Sequence, residues 1–131
     1  MKTLHLVGMK YRLGADPEKH GAGDCLNLCR FVLAEYGIKS RKPTRDWYRR
    51  FRREKDQVVF REELERWGKK TKDIKAGTIA LCNGLKGGYA LSVYWNGGWL
   101  IGGESAIVWR PLELLSVVEF YYPLKKNFVK Q

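Results

Sequence analysis

The chain reads as an α+β domain in which helices come first and an antiparallel sheet follows. Three observations predict this. Apolar residues recur at helical spacing in Leu28, Cys29, Val32 and Tyr36, and again in Phe60, Leu64 and Trp67. From Thr78 onward the pattern changes to short apolar runs bounded by glycine and asparagine. Asn96-Gly97-Gly98, set between two such runs, is a hairpin signal. Helices followed by a meander segregate into a helical layer and a sheet layer. The strand candidates number about five.

Taken in order, residues 3–10 predict a short helix or extended lead-in with Leu4, Val7 and Met9 inward. Lys10 to Gly23 is a polar, glycine-containing loop. Asp24 is a good N-cap for a helix over 25–36, and Gly37-Ile38 suits its C-terminal cap. Thr44 after Pro43 caps a second helix with Trp47, Tyr48 and Phe51 on one stripe. A third helix stops at Gly68, and Lys69-Lys70-Thr71-Lys72-Asp73 is a charged connector. Strands are expected at 78–82, 89–95, 99–101, 107–109 and 117–122, with one helical turn at 111–115. No repeat or linker divides the sequence, so residues 1–131 form one domain.

There are 25 Lys and Arg against 14 Asp and Glu, a net charge of +11. Such a charge favours anionic partners: nucleic acid, wall polymers or a membrane surface. No apolar run is long enough to span a membrane, and the first residues make a poor signal peptide. The expected location is the cytoplasm, with delivery beyond it by another route left open. Cys25, Cys29 and Cys82 are odd in number and form no CxxC pair, so neither a disulfide framework nor a metal site is expected. Nothing in the sequence implies a cofactor.

The chemistry centres on Gly21-Ala22-Gly23-Asp24-Cys25. Cys25 opens the helix, where the dipole's positive end favours thiolate, the nucleophilic form. Cys29 and Cys82 sit in apolar settings and read as core thiols. Tyr11-Arg12-Leu13-Gly14, a loop, Gly23-Asp24-Cys25 and a helix ending Tyr36-Gly37-Ile38 resemble the N-terminal half of the NlpC/P60 family. Those proteins are papain-like cysteine peptidases acting mostly on cell-wall peptides. The resemblance implies a papain-like fold, Cys25 as nucleophile and Tyr11 beside it. Leu26 and Asn27 stand where the family usually has Ser and Gly.

The family's base is missing. Its histidine position falls on Ala90, or on Tyr89 one residue away, and the orienting position falls near Gly102 or Gly103. The two histidines are His5 and His20, both in the other half of the chain. His20, just before Cys25, is a candidate substitute base, although a solvent-exposed histidine is the commoner role for such a residue. Tyr11, Tyr89 and Glu104 are candidates to assist the thiol or bind ligand, with Asp24 lining the cleft. The leading expectation is an impaired or atypical family member that binds a peptide-like or cell-wall-derived ligand around Cys25. An active cysteine hydrolase or acyltransferase is the enzyme alternative. The third class is a nucleic-acid-binding module using the basic stretch 39–55, with Arg49, Arg50 and Arg53 as ligand contacts. A small virus-encoded accessory protein would fit the size and charge.

Overall fold

The helix opened by Cys25 and the strand begun by Tyr89 form the centre of the molecule, a computed structural model that describes residues 3–53, 56–84, 88–103 and 105–129. Thr3–Leu6 forms a 3-10 turn, and β1 (Lys10–Tyr11) pairs in parallel with β2 (Ala22–Gly23) across the short helix α1 (Pro17–His20). Then follow α2 (Cys25–Glu35), α3 (Arg45–Arg53) and α4 (Asp56–Trp67). The remaining strands are β3 (Gly68–Thr71), β4 (Ile79–Asn83), β5 (Tyr89–Trp95), β6 (Gly98–Gly102), β7 (Ile107–Pro111) and β8 (Val117–Pro123). Helices thus lead and an antiparallel sheet follows, in the spatial order β3-β8-β4-β5-β6-β7. No helix among the described residues is long and apolar enough to cross a membrane.

Local chemistry accounts for most boundaries. Asp24 accepts the Asn27 N–H at 2.8 Å and starts α2. The end of α2 is a Schellman-type cap, with Gly37 at φ 78° and the Ile38 N–H donating to the Leu33 carbonyl at 2.9 Å. Thr44 Oγ1 accepts from the Trp47 N–H at 3.1 Å and starts α3. Asn96 and Gly97, at φ 52° and 74°, make the tight turn joining β5 to β6.

Three expectations are corrected. The expected loop from Lys10 to Gly23 holds two short paired strands and the helix α1, which Asp16 caps by accepting the Glu18 N–H. The 3-10 turn buries Thr3 and Leu6, while Leu4 and Val7 face solvent, because a three-residue turn places 3 and 6 on one side. The connector after α4 is a sixth strand: β3 pairs along β8 from Gly68↔Pro123 to Thr71↔Phe120. Its lysines suit an edge strand, which has one open side to protect. Gly68 is required there, because a Cβ would collide with the Tyr122 carbonyl.

The sheet is strongly curled. Trp99 on β6 stacks on Phe120 on β8 with ring centroids 5.7 Å apart, although β4 and β5 lie between them. Three strand spacings in a flat sheet would separate them by about 14 Å. Fully buried Ala80 and Ser92 are small enough to let the rings meet. The main core joins Leu28, Val32, Phe60 and Leu64 of the helices to Leu81, Leu91, Val93 and Leu100 of the strands.

Candidate functional site

Pairing between β1 and β2 sets Tyr11 beside Gly23, two residues before Cys25. The Tyr11 hydroxyl lies close enough to the Cys25 sulfur for each to shift the other's ionisation. Its ring lies over Gly102, where any Cβ would strike the ring edge. The Leu91 backbone, at the start of β5, also favours the thiolate of Cys25. The thiol therefore lies near Leu91, at the beginning of β5, and the Tyr11 ring beside it reaches Gly102 at the end of β6. Tyr11 occupies the room beside Gly102.

Cys25 is only 6% exposed. Burial, and then the Asp24 charge, push its thiol up to about 12, against the help of Leu91 and Tyr11. The cap that starts the helix thus places a carboxylate beside the sulfur and opposes the dipole's preference for thiolate. The Tyr11 hydroxyl is raised as well, by the Cys25 charge first and by burial second. Both groups are neutral near pH 7. Cys29 and Cys82 are core thiols: burial raises both, Cys82 to about 11, and Cys82 Sγ donates to the Ala90 carbonyl at 3.3 Å.

Asp24 itself is 1% exposed and fully engaged. Oδ1 accepts from Asn27 N–H, while Oδ2 accepts from Gly14 N–H at 2.8 Å and from the Tyr48 hydroxyl at 2.6 Å. Asn27, standing where a glycine was expected, donates to the Ala15 carbonyl at 3.0 Å and to Tyr48 Oη at 3.3 Å, and accepts from Arg30 at 3.1 Å. This network ties loop, α2 and α3 together. Sequence reading found Asp24 through its capping position; Asn27 and Tyr48 gave no comparable signal.

The other candidates scatter. His20 is exposed at the end of α1, where Nδ1 accepts the Asp16 N–H at 2.9 Å, and it is not among the groups acting on the Cys25 thiol. Tyr89 is half-buried at the start of β5, opposite Asn83. Glu104 lies outside the described residues. Arg50 is held by Glu62 in a bidentate pair at 2.6 and 3.0 Å. Arg53 is exposed at the end of α3. Arg49 lines a groove of about 400 Å³ with Leu13, Gly14, Thr44, Arg45, Tyr48 and Arg52. Arg45 and Arg52 had not been singled out, although their i, i+4, i+7 spacing with Arg49 was visible.

What this arrangement can do chemically is limited by the thiol. Among the described residues no cluster of His, Cys, Asp and Glu could hold a metal ion. A scan against protein-family models gave no match, and neither did a search of curated proteins.

Proposed function

We propose that this chain is a papain-like domain of the NlpC/P60 type that binds a peptide-like or cell-wall-derived ligand without cleaving it. The observation that carries the reading is the state of Cys25: buried, covered by Tyr11, with its thiol raised to about 12. A nucleophilic cysteine needs a base to take its proton or an environment that favours thiolate. Among the described residues neither acts on the thiol; the groups that do are Asp24, Leu91, Tyr11 and Cys82. The family likeness is supported by the contact between Cys25 and Leu91, the residue next to the position where the family carries its histidine. Ligand reaching this cleft would have to displace the Tyr11 ring from Gly102.

The test is incubation of the wild-type protein and Cys25→Ser with peptidoglycan peptides. Products are read by mass spectrometry and binding by titration calorimetry. Equal binding and no product from either protein is the expected result. Steady turnover lost in Cys25→Ser would overturn the non-catalytic reading, and absence of binding would overturn the ligand.

A further inference from the structure

Helix α3 is amphipathic in an unusual sense. Trp47 and Phe51 stack at 5.6 Å on the core side, and five of its seven other residues are arginines, the remaining two being Asp46 and Tyr48. Arg45, Arg49 and Arg52 are exposed and line one groove, whose other walls are Leu13, Gly14, Pro43, Thr44 and Tyr48. Their helix positions step by about 6 Å and then about 4.5 Å. Among the described residues none of the three has a carboxylate within ion-pairing distance. Arg41, Arg50, Arg61 and Arg66, by contrast, each hold a glutamate.

Three guanidinium groups over less than two turns repel one another unless an anion lies among them. Their forked donors suit phosphate oxygens, and a ligand with several evenly spaced charges would engage all three together. Thr44 Oγ1 already accepts from Trp47 N–H, which leaves its own proton for a ligand oxygen. Tyr48 adds an aromatic wall held in place at its hydroxyl by Asp24. A positive groove with a fixed aromatic is the arrangement that tracks a single strand of nucleic acid by its backbone, with bases stacking where a ring is offered.

We infer that the groove of Arg45, Arg49, Arg52 and Tyr48 binds the phosphate backbone of single-stranded nucleic acid without regard to sequence. Cys25 is not among the residues lining this groove, although Tyr48 bonds Asp24 next to it. The groove's assignment stands whether or not the Cys25 cleft binds a wall peptide.

The experiment is fluorescence anisotropy with a labelled twelve-residue oligothymidine over a salt series. It compares the wild-type protein with R45Q/R49Q/R52Q and with K69Q/K72Q/K125Q. The second variant removes the same charge from exposed lysines elsewhere. All six side chains are exposed, and circular dichroism confirms that each variant is folded. The groove variant is expected to bind at least ten-fold more weakly near 0.1 M salt. Its log-log salt slope should fall by about two units, from three lost phosphate contacts at about 0.7 each. The lysine variant should keep most of the affinity and slope. Equal losses in both variants, or no binding by the wild-type protein at low salt, would overturn the assignment. Competition by polyglutamate or by a duplex of equal length as strong as that of unlabelled oligothymidine would also overturn it, in favour of a general polyanion or duplex surface.

Discussion

The Tyr48 hydroxyl donates to Asp24 Oδ2 at 2.6 Å, so the cap of the cysteine helix is fastened to the helix that carries the arginines. Burial pushes the Tyr48 hydroxyl well above the ordinary phenol range, and its bond to Asp24 adds to the shift. It therefore remains a donor at all ordinary pH. Hydrogen bonds to a charged acceptor are stronger than neutral ones. Tyr48→Phe is expected to cost about 1.5–3 kcal/mol, read as a lower midpoint in urea with an unchanged slope. A loss below a few tenths would show that Gly14 and Asn27 suffice for Asp24.

Cys25 should resist alkylation. In the native protein at pH 8, iodoacetamide modification of Cys25 should be slower than in the urea-unfolded chain by at least a hundred-fold. Peptide mass spectrometry separates it from Cys29 and Cys82. A fast reaction rising already below pH 8 would mean that the thiol is open and activated.

Gly102→Ala should disturb this protection specifically. The added methyl would drive into the Tyr11 ring, which must move or strain the strand. Overpacking of this kind typically costs about 1–3 kcal/mol. The expected readout is a lower melting temperature together with faster Cys25 alkylation and unchanged Cys29 alkylation.

Stability should fall in alkali. The Cys25 thiol ionises near its ordinary value of 9 when unfolded and near about 12 when folded. Its contribution is fully present below pH 9 and is lost progressively as pH rises from 9 towards 12. Each such thiol lowers the unfolding free energy by about 1.4 kcal/mol per pH unit in that window. Cys29 and Cys82 are shifted in the same direction, so the decline is compounded. Cys25→Ala should make the decline shallower; an unchanged slope between pH 9 and 11 would contradict the burial of its charge.

Glu63 is a second fixed point. Its fully buried carboxylate accepts from Trp67 Nε1 and Arg41 at 2.9 Å each and from Arg66 at 3.3 Å. Glu63→Ala removes that charge and leaves Arg41 and Arg66, both about half exposed, to water, while the Trp67 Nε1–H loses its acceptor in the core. An unsatisfied buried donor costs about 1–3 kcal/mol, so Glu63→Ala should lower the urea midpoint by a corresponding amount at an unchanged slope; no shift would show that Trp67 finds another acceptor.

The element order was legible because each device is local. Asp24 caps α2 with a donor three residues away, Gly37 takes the left-handed bend, and Asn96-Gly97 closes a hairpin between neighbouring strands. β3 was missed for the complementary reason. Gly68 to Thr71 has no apolar alternation and becomes a strand only because the far end of β8 offers it backbone partners. The 3-10 turn at Thr3–Leu6 misled the inward assignment because four residues fix no unique period.

The sequence by itself determined the α+β order, the main helix caps, the basic face of α3 and the absence of a histidine in the second half of the chain. Only the tertiary structure decided what those residues meet. Tyr11 over Gly102, Leu91 beside the Cys25 sulfur and Tyr48 on Asp24 are contacts between segments 24 to 91 residues apart. The helix dipole visible in the sequence favoured thiolate. Burial and the nearby Asp24 carboxylate, both products of packing, moved the thiol the other way. Caps and turns close over a few residues of chain, whereas the dielectric and charge around a side chain depend on everything folded against it.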